Sequence, residues 1–215
     1  VMTSDMAVSS GHISPEEMLE SSQEGPFGVQ SNADAIVDGT LDELERAAVV
    51  VVDPGDLARA TRFGKAAVST ASDAMWERQL TRTDAILGRL MDEVDDDTMV
   101  LVVSVVPSTY PYRPSPLVAW GPGVPHGLIT SPSTRQSGVS AITDLAPTIL
   151  AALGAEVPVE MPGSAVRYEP GPVDLDRLKS LDTDTMIREK TYGPVSARYI
   201  QVFTLLYLAL VIAVA

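Results

Sequence analysis

Two carboxylates close the stretch AVVVVDPGD: Asp53 and Asp56 stand three residues apart behind four consecutive valines. At the carboxyl end of a buried parallel strand such a pair faces the edge at which open α/β sheets take ligands, where it could hold a cation or orient a polar group. Turn chemistry is the other reading, because Asp, Pro and Gly together make a corner in which Asp53 satisfies backbone amides. His126, in GPGVPHG, is one of two histidines. With no second imidazole or carboxylate near it in sequence, it falls short of the several ligands a divalent site needs. The other, His12, sits in a polar stretch with less around it. Arg135, in STRQSG beside Ser133 and Thr134, could grip a phosphate, sulfate or carboxylate through both arms of its guanidinium, and a solvated loop is the equal alternative.

Other polar residues read as structural. Asp144 stands before Pro147 and Thr148 and suits a helix cap better than a ligand position. Asp95, Asp96 and Asp97 lack the glycine and the distant glutamate of a calcium loop and suit a solvated turn. The stretch VLVVSVVPSTYPYRPSPLVAWGPGV ends its first apolar run at Ser104, where α/β enzymes place reactive side chains, yet it holds no Asp, Glu, His or Cys. Its prolines and its tyrosines at 110 and 112 make a stiff loop.

Composition narrows the functions open to these residues. The 215-residue chain is long enough for one domain with a sizeable core. A net charge of -14 with scattered Lys and Arg offers no face that could neutralise a phosphate backbone, so nucleic acid is not an expected partner. The absence of cysteine excludes disulfides, thiolate nucleophiles and Cys-based metal sites. No signal peptide is visible at the start, VMTSDMAVSSGHISPEE.

The elements that would position the candidates follow from periodicity. A capping box at SPEE, from Ser14, opens a short helix in a polar segment over residues 1–33. NADAIVDGTLDELERA carries Ile36, Val37, Leu41 and Leu44 at helical spacing, and the unbroken run at 49–52 reads as a strand buried on both faces. A long helix is expected from Thr70 to Val94, then a strand over 99–103, so that strand, helix and strand form a right-handed βαβ unit with parallel strands. PLVAW is a third strand, and VSAITDLAPTILAALG a helix ended by Gly154. From Tyr199 the chain reads YIQVFTLLYLALVIAVA, an uncharged run just short of the roughly 18 to 20 residues of a spanning helix, expected to be a truncated transmembrane segment. Arg188, Lys190 and Arg198 favour a cytoplasmic N-side, while an acidic domain can be exported regardless.

Three segments in a fixed order resemble the alkaline phosphatase superfamily, in its phosphodiesterase, sulfatase and ethanolamine phosphate transferase branch: VVVVDPGDLARA, RQLTRTDAILGRLMDEVDDDTMVLVVS, and SPLVAWGPGV followed by TDLAPTILAALGAEVPVEMPG. The resemblance spans about residues 47–163 and implies a three-layer α/β/α fold with a mostly parallel sheet, here with a C-terminal transmembrane helix. It divides the chain into a polar segment (1–33), a partial alkaline-phosphatase-like domain (34–168), a juxtamembrane linker (169–198) and the membrane helix (199–215). It also implies two divalent metals clamping a phosphoryl or sulfuryl group. Only Asp53 matches a ligand position: the partner His falls at Leu57, and Asp-His-Gly falls at Val105, Val106 and Pro107. The nucleophile belongs to an N-terminal half for which there is no room ahead of Asp34.

The resemblance therefore implies a membrane-anchored, catalytically degenerate domain of this superfamily, binding or scaffolding at the bacterial envelope with its soluble part extracytoplasmic and needing no cofactor. One alternative is an active metal-dependent phosphoester hydrolase or phosphotransferase using Zn or Mn, with its catalytic residues in a missing half. Another is an interaction subunit of a multi-span membrane complex. Expected partners are the membrane, other membrane-protein segments or envelope phosphoesters, with Asp53, Asp56, Arg135 and His126 as candidate ligand contacts.

Overall fold

Asn32 opens the first helix by accepting a hydrogen bond from the Ala35 amide at 3.2 Å, and apolar residues at helical spacing behind it supply a core stripe. The computed structural model describes residues 17–66, 69–105 and 113–214, and the chain divides into one unit ending at Asp96 and another beginning at Asp97. The capping box at Ser14, His12, the positions Val106 and Pro107, and the two loop tyrosines lie outside the described residues.

In the first unit, β1 (Leu19–Ser21) and β2 (Val29–Ser31) form an antiparallel hairpin with Leu19 opposite Ser31. Its turn puts Phe27 at a φ of 59°, where the ring meets Phe63 edge to face with centroids 5.7 Å apart. Helices α1 (Ala33–Leu44), α2 (Asp56–Gly64) and α3 (Ser69–Glu93) follow. Ile36 and Val37 from α1 pack with Ile86 and Leu90 from α3, and Ala33 and Leu41 close the edge of this cluster. The long helix expected from Thr70 is present to within a residue at either end.

In the second unit, β3 (Val100–Val103) pairs with β4 (Leu117–Trp120), and β5 (Gly127–Thr130) pairs with β6 (Arg167–Pro170). A 3-10 turn (Ile142–Asp144) leads into α4 (Leu145–Ala152), and Gly154 ends this stretch at a φ of 67°, the left-handed stop a glycine supplies. The last helix, α5 (Leu175–Val214), is 40 residues long and contains Pro194.

The expected sheet does not form. Among the described residues three separate two-stranded sheets stand in its place, every pair antiparallel. Residues 49–52, expected as the first strand of the βαβ unit, form neither a helix nor a hydrogen-bonded strand, and β3 bonds instead to β4, the next strand in sequence. A parallel crossover needs a strand at each end of the helix, and only one end of α3 leads into a hydrogen-bonded strand. The three-layer, mostly parallel architecture is thus overturned, and with it the resemblance to the alkaline phosphatase superfamily.

The transmembrane expectation is corrected as well: among the described residues no helix is long and apolar enough to cross a membrane. The first half of α5 carries Asp176, Lys179, Asp182, Asp184, Arg188 and Glu189, and Gln201 and Thr204 interrupt the uncharged part beyond Arg198. The membrane-anchored, extracytoplasmic placement at an envelope rested on that span and falls with it.

Candidate functional site

The sequence-predicted carboxylates meet at one corner of the first unit. Asp53 Oδ1 accepts the Gly55 amide at 2.9 Å, the turn geometry that Asp-Pro-Gly favours, and Gly55 takes a φ of 72° ahead of α2. Asp56, first residue of α2, is fully buried, and its Oδ1 accepts the Ser31 amide at 3.0 Å and Arg59 Nη2 at 2.5 Å. The same nitrogen of Arg59 donates to the Pro54 carbonyl at 2.8 Å and to Ser31 Oγ at 2.9 Å, while Ser31 Oγ donates to the Pro54 carbonyl at 2.6 Å. Arg82 from α3 donates to the Ser31 carbonyl and to Glu20 Oε1, the latter at 2.9 Å. Gln30 Nε2 donates to the same Glu20 oxygen at 2.6 Å. Arg59 and Arg82 set two guanidiniums against the carboxylates of Asp56 and Glu20, with Asp53 adding a third carboxylate at the turn, and the Asp56 Oδ2, Arg59 Nε and Arg82 Nε atoms are buried without a hydrogen-bond partner.

The corner can act mechanically more readily than chemically. Ser31 Oγ faces a carbonyl and a cation, with no base to take its proton. Its effect is to fix the backbone at Pro54, where the valine segment ends. Sequence reasoning missed Ser31, Arg59, Arg82 and Glu20; the three-residue spacing of Asp56 and Arg59 in DLAR, an acid and a base on one helical face, was the available signal.

His126 and Arg135 lie in the second unit, in separate settings. His126 is exposed, and its Nδ1 donates to the Gly171 carbonyl at 3.1 Å, an assignment that follows because a carbonyl only accepts. With the Gly171 amide donating back to the His126 carbonyl at 3.1 Å, the residue ties the open end of the β5–β6 pair. Arg135 occupies a loop position at a φ of 56°, its amide donating to the Ser131 carbonyl at 2.8 Å, and its side chain is exposed.

Asp144 proves more central than a cap. It is fully buried, and its side chain makes no cap bond to α4. Its Oδ1 accepts from Ser133 Oγ at 2.6 Å and the Ser164 amide at 2.9 Å, and its Oδ2 from the Ala141 amide at 2.8 Å. Burial pushes the carboxyl up, but hydrogen bonds from Ser133, Ser131 and the amides of Ala141 and Ser164 outweigh it and hold the group below its ordinary value. Thr148 continues the knot, donating to the Asp144 carbonyl at 2.6 Å and accepting the Val166 amide at 3.0 Å.

Beside this knot lies a cleft of about 300 Å³. Strand alternation aims Leu101 and Val103 of β3, and Leu117 and Ala119 of β4, at one face, and the register sets Leu101 opposite Ala119 and Val103 opposite Leu117. Ile129, Ile142, Leu145 and Val166 enclose the other side. Polar groups enter only as the hydroxyl-bearing residues Ser104, Ser115, Ser140 and Thr148, and no lining residue carries a charge.

No family model, no curated protein and no solved structure matches the chain. Among the described residues no group of three or more His, Cys, Asp or Glu could hold a metal ion. With the sheet topology, this overturns the readings built on the resemblance: the degenerate phosphatase- or sulfatase-type pseudoenzyme, and the active metal-dependent hydrolase or phosphotransferase. The subunit of a multi-span membrane complex falls with the missing span.

Proposed function

We propose that the chain is a binding protein for a small, uncharged, predominantly apolar molecule, taken up in the cleft between the β3–β4 pair and α4. The observation that carries this reading is the lining: in a chain with 20% charged residues, the cleft is walled by aliphatic side chains, with hydroxyls as its polar groups. Its volume of about 300 Å³ falls at the lower end of the range for small-molecule sites. Aliphatic walls reward removal of apolar surface from water at roughly 25 cal/mol per Å², and an ionised ligand would lose its hydration there without a counter-charge. The hydroxyls of Ser115 and Ser140 can orient one neutral polar group of the ligand.

Titration with the uncharged fluorophore N-phenyl-1-naphthylamine tests the reading. Saturable uptake at one site is expected, lost when Ala119→Trp fills the cleft and kept when Val118→Thr alters the opposite face of the same strand. Uptake by Ala119→Trp equal to that of the parent chain, with the fold intact by circular dichroism, would overturn it.

A further inference from the structure

The four valines at 49–52 are β-branched residues, a type that favours the backbone of a sheet, yet they lie in a segment that is neither helix nor paired strand. Val49, Val51 and Val52 are 43%, 72% and 36% exposed. Every residue of the run brings a backbone donor and acceptor, and none of these groups has a hydrogen-bond partner among the described residues. The six strands among the described residues each have a neighbour.

Both ends of the segment are held. At one end the amides of Arg46 and Ala47 close onto the Glu43 carbonyl at 3.0 and 2.9 Å. At the other, Ser31 and Arg59 grip the Pro54 carbonyl, and Asp53 folds the corner onto the Gly55 amide. A segment fixed in this way loses less conformational freedom on pairing than a free one. Paired as a strand, the run would send Val49 and Val51 to one side and Val50 and Val52 to the other and present apolar side chains on both, the pattern of a strand enclosed on two sides.

We infer that residues 49–52 are a strand-addition site for an extended, apolar segment of another polypeptide. Unpaired N–H and C=O groups on successive residues are satisfied by the extended backbone of a second strand, which a lipid or a small apolar molecule does not supply. Charge selects among polypeptides: the segment lies between Glu43, Glu45 and Arg46 on one side and Asp53 on the other, three carboxylates against one guanidinium, in a chain of net charge -14. Two copies repel, and a strand flanked by Lys or Arg is attracted.

The probe is a synthetic peptide of alternating threonine and valine flanked by lysines, added to the full chain and followed by fluorescence anisotropy and amide hydrogen exchange. Saturable binding is expected, with exchange at 50–52 slowed at least tenfold by the peptide. Val51→Pro, which deletes a donor in mid-ladder, should weaken binding at least tenfold, and Val51→Thr, which keeps β-branching and backbone, should bind within threefold of the parent. No saturable binding, equal binding by Val51→Pro, or amides at 50–52 already protected in the free monomer would each overturn the inference. So would protection that appears through self-association without peptide, which would assign the strand to a second copy.

Discussion

Arg59 Nη2 lies 2.5 Å from Asp56 Oδ1, one turn of helix away, and the same nitrogen also holds the carbonyl of Pro54, outside the helix. One cation thus neutralises a fully buried carboxylate and closes the corner where the valine segment ends. Its removal leaves Asp56 charged, buried and without its ion partner. Arg59→Ala is expected to destabilise the first unit by about 3 kcal/mol, read from urea denaturation, and Arg59→Lys to recover part of this. A loss below about 0.5 kcal/mol, usual for an exposed pair, would show that the corner is not closed in solution.

Gly55 makes that corner possible. A Cβ built at this residue, whose φ is 72°, would come within 2.8 Å of Arg59 Nη1. Gly55→Ala should therefore cost about 1–2 kcal/mol through backbone strain alone, plus whatever the displaced guanidinium forfeits. Thermal unfolding of the variant checks the sum, and a neutral substitution would mean that the turn takes another form.

Asp144 gives the second unit an acid limit. Its carboxyl titrates below the ordinary 3.8 in the folded chain, so as pH falls the unfolded chain takes up the proton first. The stability it contributes is whole above about pH 5 and is lost as pH falls through the lowered folded value. Asp144→Asn should cost about 2 kcal/mol at neutral pH and flatten the acid side of the stability profile. An acid slope unchanged in the variant would place the titrating group elsewhere.

Pro194 interrupts α5, having no N–H to offer the carbonyl of Lys190. Pro194→Ala should restore that bond and deepen the helical circular dichroism signal, with slower amide exchange on either side. A signal no deeper than the parent's would show that the helix does not continue through this turn.

The local elements were legible because their causes are local. The apolar spacing of α1 and α3, the strand composition of β3 and β4, and the Gly154 stop each depend on a few adjacent residues. The pairing of strands was not legible, because a run of valines at 49–52 states only that it favours extension and not which strand lies beside it. Asp53 read as a turn residue for the same local reason. Asp144 stands at the N-cap of α4 as its neighbours suggested, but its buried role was not legible because its partners at 133 and 164 are remote in sequence and meet only after folding. The cleft escaped notice because it consists of ordinary aliphatic positions whose convergence no motif records.

Ser31 is tied through three different atoms: its amide to Asp56, its hydroxyl to Arg59 and its carbonyl to Arg82, across 25, 28 and 51 residues of chain. Closing such loops costs entropy that grows only logarithmically with length, roughly 0.6 kcal/mol per doubling, so no one closure is much cheaper than the others. The first two form once the hairpin meets α2, the third once it meets α3, and all three stand together only when both helices have arrived. This one serine is thus where the hairpin and two helices remote from it in sequence become a single piece.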